Sequence, residues 1–157
     1  RLCALMLLIE KYKKDSERAV QFYLSHTQGV NNWDLVDLSA PYILGDHLIH
    51  SFDRTILYEL SASSVMWEQR IAVVATLMLI RHGQFTDTMK LSEIFLDTKD
   101  DLIQKAVGWM LREVGKRDQK LLIDFLEMNR LRMPRTMLRY AIEKFPPEQR
   151  SYFMAKN

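Results

Sequence analysis

Apolar residues recur every three or four positions along this chain, in segments separated by short polar breaks. That spacing places apolar side chains on one face of an α-helix, so it predicts amphipathic helices rather than strands. We therefore expect an all-α protein. Ten helices are predicted, over residues 1–14, 16–27, 33–49, 53–62, 66–82, 87–97, 100–117, 119–128, 134–145 and 147–155.

Several residues at the ends of these segments favour starting or stopping a helix. Asn31 or Asn32 is a suitable N-cap for the helix that begins at Trp33, because an asparagine side chain accepts a hydrogen bond from a free first-turn amide. Gly83 follows a predicted helix, where glycine adopts the left-handed conformation at little cost. Pro41 lacks an amide hydrogen and clashes with the preceding turn, so it predicts a break or kink.

Four segments of the chain resemble one another. They are "RLCALMLLIEKYKK" from Arg1, "RIAVVATLMLIRHG" from Arg70, "KAVGWMLREVGKRD" from Lys105 and "RYAIEKFP" from Arg139. Their spacing indicates a period of about 34 residues, with one diverged unit between the first two, which is typical of a stacked helix-pair repeat. We expect residues 1–157 to form a single repeat domain, an α-solenoid that curves into a superhelix with a concave groove.

The first residue of each of these four segments is a cation, and two interpretations stand beside each other. A long cationic side chain can cover the seam between repeats with its aliphatic stem. A row of cations along one edge of a groove instead suits the phosphates of duplex DNA, and the whole row favours this interpretation. Further cations gather late in the chain, at Arg112, Lys116, Arg117, Arg130, Arg132 and Arg135.

Composition narrows the class of protein. The length of 157 residues suits about one domain, and a net charge of +2 does not by itself indicate a nucleic-acid partner. The single cysteine, Cys3, excludes an internal disulfide and fits the reducing cytosol; we expect it to be a small core residue. No apolar run reaches the roughly 18 residues of a membrane helix. We expect a cytoplasmic monomer without a membrane partner.

Two further features bear on cofactors and on completeness. His47 and His50 are three residues apart and could share a metal ion, but no third ligand is apparent, so no metal site is predicted. No glycine-rich phosphate loop occurs, so no nucleotide cofactor is expected. The chain begins inside a helical pattern without methionine, which we interpret as a fragment lacking its natural N-terminal helices.

Three motifs, "NNWDLVD", "MWEQRIAVV" and "IQKAVGWMLREVGK", resemble in that order the DNA alkylation repair family of the AlkD type. Members of that family are alkylpurine DNA glycosylases built from HEAT-like repeats. The resemblance implies a curved helical domain that holds duplex DNA in its concave face. It also implies excision of purines alkylated at N3 or N7, without a pocket that encloses the base. No cofactor is expected.

The resemblance carries roles onto individual residues. The family's aspartate corresponds to Asp37, and the two tryptophans that surround the sugar of the damaged nucleotide correspond to Trp33 and Trp109. A family arginine close to the DNA corresponds to Arg70, with Trp67 beside it. Arg112 corresponds to a residue expected to touch the phosphate backbone. With Lys105 and Arg139 from the row of cations, the predicted DNA-binding residues are Arg70, Lys105, Arg112, Arg139 and Trp67.

The chemistry of alkylated purines explains this residue set. A purine alkylated at N3 or N7 is already cationic and leaves as a neutral base, so no general acid is needed. Positive charge develops on the sugar instead, where one carboxylate, Asp37, can stabilise it and orient a water. The face of Trp33 also attracts cationic character, by roughly 0.5–2 kcal/mol when desolvated. Trp109 would form the opposing wall.

Structural alternatives exist for each of these residues. Tryptophans in helices are commonly core residues, which applies to Trp33, Trp67 and Trp109. Asp37 could be solvated or paired with an arginine such as Arg70. At the level of function, the alternatives are a non-catalytic HEAT-repeat DNA-binding protein and a protein-interaction scaffold. The complete aspartate–tryptophan set argues against the first, and the basic row against the second.

Overall fold

In the computed structural model, which describes residues 1–155, all regular structure is helical. Each of the ten predicted helices is confirmed, with ends that differ by a few residues. The chain forms two compact units, one from Arg1 to His82 and one from Gly83 onward. The interpretation of the whole chain as a single domain, and as an α-solenoid with a basic groove, stays a prediction.

The first unit is built around one long helix. Its elements are α1 (Leu2–Tyr12), α2 (Ser16–Ser25), a 3-10 turn (Thr27–Gly29), α3 (Trp33–Ala40), a π-helical turn (Pro41–Gly45), α4 (Asp46–Leu48), α5 (Thr55–Ser61) and α6 (Met66–Arg81). The long helix is α6, which is buried at every position from Arg70 to Leu77. It packs against α3, α4, α5 and the π-helical turn that follows α3.

The predicted cap and the predicted proline effect both shape α3. Asn32 is the N-cap, and its side-chain oxygen accepts a hydrogen bond from the Trp33 amide at 2.8 Å. Pro41 does not end the helix; the chain continues through a π-helical turn into α4. Proline at this position cannot donate to the carbonyl of Asp37, four residues earlier, and the altered turn accommodates that missing bond.

Gly45, at the end of the π-helical turn, allows a close helix approach. A Cβ atom added there would lie 2.2 Å from the carbonyl oxygen of Ala75 on α6. Any larger residue would push the π-helical turn away from α6. Glycine at this position therefore sets how closely α3 and its continuation lie against the central helix.

The second unit also has one central helix. Its elements are α7 (Thr86–Ile94), α8 (Asp101–Gly115), α9 (Gln119–Asn129), α10 (Arg135–Ala141) and α11 (Pro147–Met154). The central helix is α8, which packs most extensively against α10 and also contacts α7 and α9. Gly108 permits the α8–α10 approach, because an added Cβ would lie 2.5 Å from the carbonyl oxygen of Met137 and from the Cβ of Tyr140.

Within each unit, several polar side-chain contacts join residues about one predicted period apart. Their sequence separations are 34, 33, 35 and 31 residues. Such contacts are what neighbouring repeats of about 34 residues would form. The four pairs are Tyr12 with Asp46, Asp37 with Arg70, Asp97 with Arg132, and Arg112 with Glu143.

The exposed side of α1 corrects one prediction. Cys3 is exposed, so its assignment to the core is wrong. Leu2, Met6 and Leu7 on the same helix are also exposed, and only Leu5 and Leu8 are buried.

Between residues 1 and 155, no helix combines the length and apolarity that crossing a bilayer requires. The same residues contain no group of three or more His, Cys, Asp or Glu side chains placed to hold a metal ion.

Candidate active site

Asp37 and Arg70 form a two-point ion pair between α3 and α6. Arg70 donates from Nη2 to both carboxylate oxygens of Asp37, each at 3.0 Å, and from Nε to Oδ1 at 3.2 Å. The Arg70 side chain is only 6% exposed, whereas that of Asp37 is 21% exposed. The pairing proposed from the sequence as an alternative for Asp37 is thereby confirmed. The carboxylate is therefore held by Arg70 while part of the Asp37 side chain stays exposed.

Burial and neighbouring charges act on Asp37 in opposite directions. Burial raises the pKa of the Asp37 carboxyl above its usual value, and this is the largest effect. The hydrogen bonds and charge of Arg70 lower that pKa, and the nearby charge of Asp34 raises it again. The net direction is upward because burial outweighs Arg70, so the ionised form of Asp37 is less favoured than in water, and it would be less favoured still without Arg70.

Two tryptophans lie one helical turn before the ion-paired residues. Trp33 precedes Asp37 by four positions on α3, and its side chain is 55% exposed, so it is not a core residue. Trp67 precedes Arg70 by three positions on α6 and is half-buried. Residues three or four apart share a helix face, so each indole lies on the same side of its helix as one member of the pair.

A network centred on Glu68 joins the start of α6 to two connecting segments, and it was not predicted from the sequence. Glu68 accepts from the Thr27 hydroxyl at 2.6 Å and from the Ser63 hydroxyl at 2.5 Å. The Ser63 hydroxyl also accepts from the Val65 amide at 3.0 Å, and Gln69 donates to the Ser63 carbonyl at 2.7 Å. Thr27 and Glu68 are 41 residues apart, and no local pattern links them.

The second unit holds the remaining predicted site residues. Trp109 on α8 is half-buried. Lys105, whose side chain is 39% exposed, pairs with Asp101 at 2.6 Å. Arg112 is only 18% exposed and forms ion pairs with Glu143 and Glu113. Arg139 on α10 is exposed, and its Nε donates to the Arg135 carbonyl at 3.4 Å.

Several of the cations that gather late in the chain, here called the basic cluster, also have partners within the second unit. Glu113, itself only 13% exposed, lies 2.6 Å from Lys116 and 3.7 Å from Arg117. Arg132 pairs with Asp97 at 2.9 Å, and Arg130 lies over the ring of Tyr152 at 5.0 Å from its centroid. These contacts partly neutralise the basic cluster. The positive charge available to bind a ligand is therefore smaller than the number of cations suggests.

We predict that Arg70→Gln shifts the acid limb of any activity that needs ionised Asp37. Loss of the guanidinium removes the charge that lowers the pKa of Asp37, so this pKa rises further. Activity is lost as pH falls through that pKa, so in the variant the loss begins at a higher pH. Rates measured from acidic to mildly alkaline pH test this. Arg81→Gln, an exposed change on the same helix, is the control; equal profiles for both variants would contradict the prediction.

The described residues define an all-helical protein whose candidate site presents one ion-paired, partly exposed carboxylate, with an exposed indole one helical turn before it on α3. Such a site suits stabilisation of a developing positive charge. The chain belongs to the DNA alkylation repair enzyme family, whose model matches residues 1–145. No characterised protein and no solved structure matches it significantly. The narrower AlkD-type assignment stays a prediction.

Proposed function

We propose that this protein is a monofunctional DNA glycosylase of the AlkD type that excises cationic N3- and N7-alkylated purines from duplex DNA. The family membership supports action on alkylated DNA. The observation that carries the finer proposal is the Asp37 carboxylate, which Arg70 holds at two points while 21% of its side chain stays exposed. We further propose that the protein acts as a cytoplasmic monomer, with duplex DNA as its partner and no cofactor.

The proposed reaction breaks the bond between C1′ of the sugar and the purine nitrogen. The bonding electron pair leaves with the purine, whose positive charge it neutralises, and C1′ becomes electron-poor. Ionised Asp37 stabilises that charge. A carboxylate has about four acceptor positions, and the Nε and Nη2 groups of Arg70 do not occupy all of them, so capacity remains to orient a water molecule. The water oxygen bonds to C1′, and its proton passes to Asp37 or to solvent.

The roles of the surrounding residues follow from their positions. Exposed Trp33 is proposed to present its face to the cationic sugar. Half-buried Trp67 is proposed to pack beside that sugar. For Arg70 we now propose that it holds Asp37 in place, because its side chain is buried and already engaged. Trp109 stays the candidate for a second aromatic contact with the sugar, as the resemblance implies.

The proposal also includes DNA contacts in the second unit. Lys105 and Arg139 retain partly or fully exposed side chains, so they are proposed to meet backbone phosphates. Arg112 is proposed to do so by exchanging its bonds to Glu143 and Glu113 for bonds to phosphate. Exchange of this kind weakens the net gain from each contact, because an existing ion pair must be given up.

The decisive experiment is release of N7-methylguanine or N3-methyladenine from methylated duplex DNA by the 157-residue chain. Excision above the rate of spontaneous depurination is the expected result. Tight binding to the same duplex without excision would instead favour the non-catalytic DNA-binding alternative. Absence of both excision and binding would favour the scaffold alternative.

We predict that Lys105→Ala and Arg139→Ala weaken binding to damaged and undamaged duplex alike. Each lost phosphate contact should reduce the slope of log K against log salt by about 0.9. Lys120→Ala is a matched control for Lys105→Ala, because both lysines pair with an aspartate four positions away on their own helix. A salt slope equal to that of the wild type in both variants would remove these residues from the proposed DNA contacts.

A further inference from the structure

The side chain of Glu68 connects the segment before α3 with the start of α6. The 3-10 turn Thr27–Gly29 is followed closely by α3, which carries Trp33 and Asp37. The start of α6 carries Trp67 and Arg70. Glu68 belongs to the first turn of α6 and accepts a hydrogen bond from Thr27 in the 3-10 turn. The Glu68 side chain therefore joins the 3-10 turn directly to α6.

The second carboxylate oxygen of Glu68 holds the segment that leads from α5 into α6. It accepts from Ser63 in the segment that joins α5 to α6, while Gln69 holds the Ser63 carbonyl. Both carboxylate oxygens of Glu68 are therefore engaged, one with each connecting segment. Hydrogen bonds to an ionised group are stronger than those between neutral groups, and this network is part-buried. The start of α6 is thus restrained on two sides at once.

The two bonded pairs lie in parallel between the same elements. Thr27 with Glu68 joins the segment before α3 to the start of α6, and Asp37 with Arg70 joins α3 itself to α6 two residues further on. A slide or rotation of α6 relative to α3 must therefore strain both pairs. The first pair has no part in the proposed chemistry, yet it limits the movement that would separate the second.

We propose that Glu68 is a positioning residue: through Thr27 and Ser63 it holds the first turn of α6 against the approach to α3, and so keeps Arg70 bonded to Asp37. The expected effect of Glu68 on the excision rate rests on the proposed glycosylase function. Its expected effect on the Asp37–Arg70 ion pair does not. A simple helix-terminus role is the competing explanation, because a glutamate in a first helical turn is favourable by itself. Such a role would contribute to stability without altering Asp37.

Two substitutions separate these explanations. Thr27→Val removes one hydroxyl from the network without changing charge, and Glu68→Gln keeps the side-chain length and removes the charge. Glu59→Gln, at an exposed position on neighbouring α5, is the control. The measurements are the pKa of the Asp37 carboxyl by carbon-13 NMR, the single-turnover excision rate on methylated duplex, and the dissociation constant for undamaged duplex.

We expect the pKa of Asp37 to rise in both network variants, because Arg70 is held less firmly. Removal of a negative charge at position 68 would by itself lower that pKa, so a rise in Glu68→Gln reports lost positioning rather than lost charge. The excision rate should fall on the order of 10- to 100-fold, the effect of a small misplacement of reacting groups. Binding to undamaged duplex should not change.

The outcomes also separate this proposal from the glycosylase assignment. If the pKa of Asp37 is unchanged in both variants while thermal stability falls, Glu68 has only a helix-terminus role and the proposal is wrong. A raised pKa with wild-type excision would also overturn it. If the wild-type protein excises no alkylpurine, the glycosylase assignment fails, and the NMR titration alone decides whether Glu68 positions Arg70.

Discussion

Asp37→Asn is expected to reduce excision of N7-methylguanine by on the order of 10²-fold or more while leaving affinity for duplex DNA nearly unchanged. Asparagine keeps the shape of the side chain and removes the negative charge that is proposed to face the sugar. The effect should therefore appear in the single-turnover rate. The measurement pairs that rate with the dissociation constant for undamaged duplex. An unchanged rate would end the catalytic assignment of Asp37.

The structure adds a stability effect to this substitution. The Arg70 side chain is only 6% exposed, and asparagine offers it one neutral acceptor oxygen in place of a carboxylate. A buried donor left poorly satisfied costs roughly 1–3 kcal/mol, which is less than the usual free energy of unfolding. The variant should therefore fold with a lower melting temperature. Excision must be assayed well below that temperature.

Asp34→Asn provides the matched control for this experiment. The residue lies on the same helix, is exposed, and makes the same chemical change when substituted. The charge of Asp34 contributes to the raised pKa of Asp37, so its removal should lower that pKa and extend activity slightly to lower pH. A loss of excision in Asp34→Asn as large as in Asp37→Asn would point to general disturbance of α3.

Substrate choice should follow the charge of the leaving base. Without a proposed acid to protonate it, a neutral lesion such as uracil, hypoxanthine or 1,N6-ethenoadenine should react slower than N7-methylguanine by on the order of 10²- to 10⁴-fold, the usual contribution of general acid catalysis. The size of the alkyl group should matter little, since the proposed groove would not enclose the base and could not reject bulk.

A panel of duplexes tests this expectation. It contains N7-methylguanine, a bulkier cationic N3 or N7 adduct, and one neutral lesion, all in the same sequence context. Trp109→Ala should slow excision of the methyl and the bulky adduct to a similar degree, because Trp109 is proposed to contact the sugar. Efficient removal of the neutral lesion, or a sharp limit on adduct size, would indicate an enclosing pocket with its own acid and contradict the mechanism.

Local signals in the sequence were sufficient to predict the helices. Apolar spacing and the cap at Asn32 depend on residues within a few positions of each other, and the structure confirms the helices they predict. The pairing of Asp37 with Arg70 was one of the alternatives that the sequence left open for this carboxylate, and the structure forms it. Apolar spacing thus predicted the helices, whereas this contact between them was only one possibility.

Burial could not be predicted in the same way. Arg1 and Arg70 begin similar segments, yet Arg1 is exposed and Arg70 is buried, because neighbouring elements cover the start of α6 and leave Arg1 accessible. Cys3 fails as a core prediction for the same reason. The bond from Thr27 to Glu68 likewise depends on two connecting segments whose approach no local pattern encodes. Sequence periodicity identifies the apolar face of a helix, but not the elements that will cover it.

The π-helical turn at Pro41–Gly45 has a consequence for how relatives of this chain can vary in length. A π-helical turn contains one residue more than the α-helical path it replaces, and one residue corresponds to about 100° of rotation. Asp37 lies before the turn and buried Leu48 after it. Deleting one residue from this segment would therefore turn Leu48 away from the core or Asp37 away from Arg70. The number of residues here should vary less among homologues than their identity, and a gap in an alignment at this place would mark a different site.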